Sequence, residues 1–301
     1  MPDTPTTGTP TTGTLSDHLA HWAPPVVETS RRVDPWSSAA FAALIDAAPP
    51  ALDAGTPLPP MWHWFTLLDH PATADIGEDG HPAHGPFLPP IPGRRRMFAG
   101  GRLHHTGDIT HGSLLHTRSS VTAVTTKTGR TGEMAFVTVR HELSADGAPV
   151  AVEEQDVVYR SEPDDTPRRT TPRPAGGEPE PAGDWRRALT TGPVLLSRFS
   201  ALTYNGHRIH YDTPYATGVE GYPDLVVHGP LLALLALELP RLHSPAAPVA
   251  EFAYRLVRPA FSPATVVAAG SPAGDGAEIA VAAQGALPSL TATVRLGGEH
   301  T

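Results

Sequence analysis

The stretch VVHGPLLALLALEL, residues 226–239, restricts the fold more than any other part of the chain. Pro230 suits the first turn of a helix, where its missing donor costs no hydrogen bond, and Gly229 leaves the approach to that turn open. From Leu231 to Leu239 the leucines point all round the expected helix, and a helix apolar on nearly every side has to be wrapped on most of them. The apolar run is about half of what a bilayer crossing needs and meets Pro240, so no membrane span is expected. The wrapping must then come from the chain itself. Four segments of strand character follow the helix expected over 229–242: EFAYRLVR, ATVVAAGS, AEIAVAAQ and SLTATVRL, with GSPAGDGAE as a turn between the second and third.

One long helix enclosed by a curved antiparallel sheet is the hotdog architecture. The first half has a similar set of strands, LLHTRSSVTAVTTK, GEMAFVTVRHEL and PVAVEEQDVVYR, with turns at residues 128–130 and at Asp146-Gly147, where SADGAP is a good hairpin connector. The fold class expected is therefore α+β, a tandem (double) hotdog, each unit a curved antiparallel sheet around a central helix. Its parts are a disordered or extended N-terminus (1–30), an N-terminal hotdog-like domain without a catalytic motif (31–160), a linker with six prolines (161–184) and a C-terminal domain with the active site (185–301). Asp34-Pro35 opens a short surface helix in DPWSSAAFAALIDAA, while 185–202 reads as short strand or turn segments. Residues 70–96, rich in Gly, Pro and His, read as a long ordered loop, which is uncommon unless it covers something.

The chain has no cysteine, which excludes disulfides, thiolate nucleophiles and Cys-based metal sites. A net charge of −9 argues against a nucleic-acid partner. The polar start, MPDTPTTGTPTTGT, has no basic or apolar region of a secretory signal, so a cytoplasmic location is the default expectation. Neither G-x-G-x-x-G nor a P-loop occurs, and redox or phosphoryl-transfer cofactors have no support. A metal site at His104, His105 and His111 has no recognised ligand spacing, so no metal is expected.

Chemistry concentrates in YNGHRIHYD, residues 204–212. His210, with Asn205 five residues before it, can activate water or pass a proton to and from a hydroxyl, because an imidazole titrates near neutral pH. Eighteen residues later, His228 and Gly229 open the Leu-rich helix, whose first N–H groups lack intrahelical partners and suit an oxygen that gains negative charge. A plain helix entry has the same features. Tyr211 and Asp212 read as structural.

This order of a polar residue, a gap, His, and then HG before an apolar helix resembles the MaoC-like, (R)-specific enoyl-CoA hydratase branch of the hotdog superfamily, whose motif runs roughly D-x-N-P-L-H. WHWF at 62–65, the stretch 77–102, GEMAFVTVRHE, EEQDVVYR and the region of YNGHRIHYD with GYPDLVVHGPLLA resemble the mesaconyl-C4-CoA hydratases and the mitochondrial-type 3-hydroxyacyl-thioester dehydratases. The resemblance makes His210 the catalytic His and Gly229 the residue whose N–H holds the thioester oxygen. Asn205 stands where most members have a catalytic Asp, and His207 where they have Asn. An amide cannot take a proton as a carboxylate does.

The function implied is a hydro-lyase adding water to, or removing it from, an enoyl- or 3-hydroxyacyl-CoA thioester, with a C5 dicarboxylic acyl group such as mesaconyl-C4-CoA or itaconyl-CoA. His210 moves the proton, Asn205 positions the water, and Gly229, His228, His207, Arg208 and Arg95 are the candidate substrate-binding residues. Arg94 and Arg96 belong to the same basic cluster, which could meet a carboxylate or the CoA phosphates or be paired within the chain. CoA enters only as part of the substrate, no cofactor is needed, and a homodimer is the candidate assembly. Two alternatives are a 3-hydroxyacyl-[acyl carrier protein] dehydratase, against which the negative charge argues mildly, and a non-catalytic acyl-binding subunit, which Asn205 keeps open.

Overall fold

The computed structural model describes residues 13–129, 132–161, 171–174 and 176–297. The disorder expected for residues 1–12 and the middle of the expected linker lie outside these residues. Ten strands are present: β1 (Val27–Arg32), β2 (Arg94–His105), β3 (Leu114–Gly129), β4 (Gly132–Ala145), β5 (Ala148–Ser161), β6 (Trp185–Thr191), β7 (Val249–Leu256), β8 (Ala264–Ala273), β9 (Gly276–Ala283) and β10 (Leu290–Leu296). The helices are α1 (Leu15–Leu19), α2 (Pro35–Leu44), α3 (Pro193–Leu202), α4 (Thr213–Gly218) and α5 (Gly229–His243).

All ten strands join one sheet in the order β1-β3-β4-β5-β2-β7-β10-β9-β8-β6. Read inward from its two edges, this is the same arrangement twice, with β6 corresponding to β1 and β7 to β2. The tandem hotdog expected from the strand pattern is therefore present. The two halves meet where β2 and β7 pair antiparallel, Gly100 opposite Arg255 and Leu103 opposite Phe252. That approach needs a backbone without side chains: a Cβ on Gly100 would lie 2.4 Å from the Tyr254 carbonyl oxygen, and one on Gly101 would lie 2.6 Å from that of Glu154.

The halves also correspond in their first helices. Both α2 and α3 follow the first strand of their half, begin with Pro and run for ten residues, and they pack on each other. Phe41 of α2 is fully buried, with its ring 5.0 Å from Trp62, 4.8 Å from Phe65 and 6.3 Å from Phe199 of α3. The expectation of a surface helix there is thus corrected. The expectation of strand or turn before Leu202 is corrected too: Leu196, Phe199 and Leu202, three residues apart, give α3 a buried stripe.

What fills the halves differs. In the second, α5 packs against β6, β7, β8, β9 and β10, and every residue from Leu231 to Pro240 is buried. The helix runs past Pro240 to His243, and its one buried carboxylate, Glu238, is bonded by Arg241 Nε at 2.9 Å. In the first half, the segment between α2 and β2 contains 3-10 turns at Trp62–Phe65 and Thr73–Asp75, and the described residues hold no second helix of the length of α5. Arg94, Arg95 and Arg96 lie in β2 and not at the end of the loop. Within the N-terminal stretch read as disordered or extended, Thr14 and Asp17 form a capping box for α1, and β1 pairs with β3.

Candidate active site

The segment YNGHRIHYD folds by bonding to itself and to its flanks. After α3, Tyr204 takes a left-handed turn (φ 49°) and the Asn205 N–H donates to the Ser200 carbonyl at 2.8 Å. Asn205 Oδ1 accepts the His207 N–H at 3.0 Å, an Asx turn that uses the carbonyl end of the amide. A 3-10 turn, Arg208–His210, follows, and Asp212 Oδ1 accepts the Tyr215 N–H at 3.1 Å to start α4.

His210 is thereby carried to the beginning of α5. Its Nδ1–H donates to the Val226 carbonyl at 2.7 Å, while the Val226 N–H donates to the Ile209 carbonyl at 2.9 Å. The lone pair is therefore on His210 Nε2. Burial, reinforced by nearby His207, lowers the pKa of His210 to about 3, so its ring is neutral at physiological pH. On one side it stacks on His228, 3.6 Å between centroids, and on another it meets the edge of His207 at 5.4 Å.

One large cavity, about 1470 Å³, is lined by Asn205, His207 and His210 together with Gly229 and Pro230 of α5. The Gly229 N–H, in the first turn of α5, has no backbone partner among the described residues. The imidazole and the helix opening singled out in the sequence thus face the same space. A Cβ on Gly229 would lie 2.5 Å from Leu256 Cδ1, so a side chain there would push Leu256, itself a wall residue, out of place.

The loop of 70–93 closes this cavity from the first half. The Arg208 N–H donates to the Asp79 carbonyl at 2.9 Å and Arg208 Nη1 to the Glu78 carbonyl at 3.1 Å. Gly80, with φ of 88°, lies so close to Gly206 that a Cβ would fall 1.8 Å from the Gly206 oxygen. His81 then lies against His207, with ring centroids 3.9 Å apart.

Residues 61–262 match the family model described as hydroxyacyl-thioester dehydratase type 2. The chain belongs to this family. A mesaconyl-C(4)-CoA hydratase of Chloroflexus aurantiacus is 42% identical over 262 residues, 86% of this chain and 91% of the relative. A hydroxyacyl-thioester dehydratase type 2 of Schizosaccharomyces pombe is 41% identical over a shorter match, 27% of either chain. Among solved structures, a MaoC-like dehydratase from Phytophthora capsici aligns with a TM-score of 0.64 at 13% identity, over 95% of this chain and 99% of the other. HtdX of Mycobacterium tuberculosis aligns with a TM-score of 0.60 at 18% identity, over 90% and 100%. At such identities these two likenesses concern the fold alone.

Measured against the geometry of this type 2 dehydratase family member, the expected site residues divide. His210, Asn205, His207 and Gly229 converge. His228, expected to bind substrate, is fully buried and absent from the cavity wall; its Nε2 hydrogen-bonds Ser200 Oγ at 2.9 Å, and burial holds its pKa well below the usual imidazole value. It packs face to face on the His210 ring. Arg208, also expected to bind substrate, lines the cavity as well but bonds Asp212 through Nε at 2.9 Å and Nη2 at 2.8 Å and lies over the Tyr215 ring. Arg95 reaches the cavity wall but bonds Glu220 Oε2 at 2.8 Å across the two halves, and Arg94 bonds the carbonyls of Pro89 and Ala83. Arg96 lines the cavity and has no ion-pair partner among the described residues. The Tyr211 hydroxyl donates to the Gly206 carbonyl, a structural role like that of Asp212.

The histidines weighed for a metal do not converge: His111 lies between Ser38 and Thr56, and His104 pairs with Glu251. Among the described residues, the group whose donor atoms lie within 4.8 Å of one another is Asp79, His81 and His207. Sequence reasoning assigned no role to Asp79 and His81, although both lie in the stretch that resembles the family. The same holds for a buried cluster on the first-half wall. Glu153 Oε2 accepts from His63 Nε2 at 2.7 Å, and Oε1 from Trp64 Nε1 at 2.8 Å and Gln155 Nε2 at 2.7 Å. Burial would raise the Glu153 pKa; the bond and charge of His63 reverse this and bring it to about 2. With its oxygens so occupied, Glu153 ties the WHWF turn to β5.

Proposed function

We propose that the protein is a hydro-lyase that adds water to an enoyl-CoA thioester, or removes it from the 3-hydroxyacyl form, with a C5 dicarboxylic acyl group as substrate. The observation that carries this reading is the convergence of the neutral His210 ring and the unpartnered Gly229 N–H on one cavity. The cavity is above the roughly 300–1,000 Å³ of ordinary ligand pockets, which suits the long arm of CoA. The named activity of the Chloroflexus relative supports the choice of substrate.

The thioester oxygen accepts from the Gly229 N–H at the positive end of α5, which makes the β-carbon electrophilic and holds the charge of the enolate. His210 Nε2 takes a proton from water as the water oxygen bonds to that carbon. Asn205 has given its Oδ1 to the His207 N–H, so its Nδ2 is the group left to donate to the water. Collapse of the enolate with a proton at the α-carbon completes the addition. Arg95 and Arg208 are already paired, whereas Arg96, Arg255 and Arg258 line the cavity without an ion-pair partner among the described residues, and of these Arg96 is assigned the second carboxylate. The reaction needs no cofactor. The cytoplasmic location and homodimer expected from the sequence are carried in this proposal, with fractionation and sedimentation as their tests.

The deciding experiment offers the purified protein mesaconyl-C4-CoA, crotonyl-CoA and a crotonyl carrier-protein thioester and follows loss of the enoyl-thioester absorbance. Turnover is expected without any added partner, fastest with the dicarboxylic CoA ester. Preference for the carrier thioester would favour the dehydratase of acyl assembly, and inertness toward all three would leave only acyl binding.

A further inference from the structure

A water-adding site of this kind has two proton transfers to perform, one from the water and one to the α-carbon, and YNGHRIHYD supplies one base. His210 is neutral and buried, the residue five positions before it is an amide, and the one carboxylate of its segment, Asp212, is taken by Arg208 and the Tyr215 N–H. A carboxylate that acts on the motif's His207 is delivered from elsewhere. Asp79 Oδ2 accepts from His81 Nδ1–H at 2.9 Å, and Asp79 Oδ1 accepts the His81 backbone N–H, also at 2.9 Å. Both oxygens thus fix one imidazole and leave its Nε2 for proton exchange. Burial alone would raise the Asp79 pKa, but the hydrogen bond and charge of His81 outweigh it, so the carboxylate stays ionised. Asp79, His81 and His207 all line the cavity that holds His210 and Gly229.

We propose that His81, held by Asp79, is the second proton-transfer group of this site, supplying from the first half of the chain the part that a carboxylate at position 205 would play. The inference rests on the hydro-lyase reading above. In hydration, His210 Nε2 takes one proton of water while the water oxygen bonds to the β-carbon. The imidazolium form of His81, balanced by Asp79, gives its Nε2 proton to the α-carbon as the enolate collapses. The proton left on His210 returns to His81 by exchange with water in the cavity; the His207 ring, with centroids 3.9 Å from that of His81 and 5.4 Å from that of His210, packs against both. One water is added and the protein ends with the protons it began with; dehydration runs the same steps backwards.

The arrangement is anchored rather than incidental. The Asp79 carbonyl is bonded by the Arg208 N–H, and Gly80 packs directly on Gly206, so the dyad and the motif hold each other in register. Around His81 the charged and titratable groups are Asp79 on its own loop, His207 opposite, His210, on which its charge acts, and Arg96 of β2, which acts on His207.

The test uses the full chain and the preferred enoyl-CoA of the previous assay. Wild-type turnover is measured first, and its absence would defeat the functional reading before any variant is made. In His81→Gln, kcat is expected to fall by roughly 10²–10³ with KM within about threefold, the loss expected of an absent general acid–base group. Adding Asn205→Asp to that variant is expected to raise kcat at least tenfold, because a carboxylate at 205 makes His81 dispensable. A His81→Gln enzyme within threefold of wild type, or one whose loss Asn205→Asp does not repair although its melting curve is unchanged, overturns the proposal. Should His81→Gln melt early, Asp79→Asn, which keeps an acceptor for the His81 amide, is held to the same kcat criterion. Wild-type activity abolished by a chelator would also overturn it, since the three donor groups would then be holding a metal.

Discussion

The ring of His210 lies 3.6 Å from that of His228 and within 19° of parallel, yet only His210 lines the cavity. The two rings are held by different clamps, Val226 carbonyl on one and Ser200 hydroxyl on the other. Burial drives each ring toward its neutral form, helped at His210 by the charge of His207 and at His228 by that of His210. Ser200→Ala should leave His228 Nε2 buried and unpaired and cost roughly 1–3 kcal/mol of stability. Denaturant midpoints check this, and kcat should fall less than it does when His210 itself is replaced.

Replacement of His210 by Ala should lower kcat by roughly 10²–10⁴ with the fold retained. The readout is steady-state turnover beside a far-ultraviolet dichroism spectrum. Unchanged turnover would mean that another imidazole serves as the base.

Asn205→Asp keeps an acceptor for the His207 N–H, so the Asx turn should survive. Activity is expected to be retained or raised, whereas Asn205→Ala, which removes that acceptor, should lower it. Comparing kcat of the two variants separates orientation of water from proton transfer.

In Gly229→Ala the new methyl must displace Leu256 from the cavity wall. A shift near the reacting thioester should reduce kcat/KM roughly 10- to 100-fold. Measured with a long and a short acyl-CoA, the loss should appear with both, because it arises at the thioester and not at the chain end.

Stability should fall as the solution is acidified below about pH 6.5, the ordinary imidazole value. His210, His207 and His228 all have folded pKa values below that of the unfolded chain, so the unfolded state binds more protons in the interval. Their contribution is complete above pH 6.5 and declines downward, by up to roughly 1.4 kcal/mol per pH unit for each ring. Glu153, lowered from 4.5 to about 2, adds a second loss below pH 4.5. Melting temperatures between pH 8 and pH 4 check the slope, and a flat profile down to pH 5 would contradict the buried neutral rings.

The parts legible in the sequence are those dictated by local pattern. Six or more residues of β-branched alternation marked β3, β4, β5 and the last four strands within about two residues, and the all-round leucine pattern marked α5. The strand β2 was hidden because three arginines and Gly100-Gly101 carry little strand propensity; its place is set by pairing with β5 and β7. PVLLSRFSAL has too few residues for its three-residue stripe to stand out from a strand-like run. That His210, Asn205, His207 and Gly229 share one cavity was legible because they are neighbours in sequence or flank one helix. Asp79 and His81 lie more than a hundred residues from the groups they meet, across five strands and a helix, and no spacing rule reaches over such a separation. His228 and Arg208 have side chains whose types suit a ligand, and only their packing shows that Ser200 bonds the one and Asp212 the other.

The central pairing of β2 with β7 has an evolutionary consequence. Two matched folding units that associate as separate copies must share every change, since one gene encodes both. Once they are written into a single reading frame, a loop in the first can diverge while its counterpart stays fixed. The Gly100-Gly101 seam therefore lets this chain line one cavity with different residues from each half, where a symmetric pair would have had to build the same wall twice.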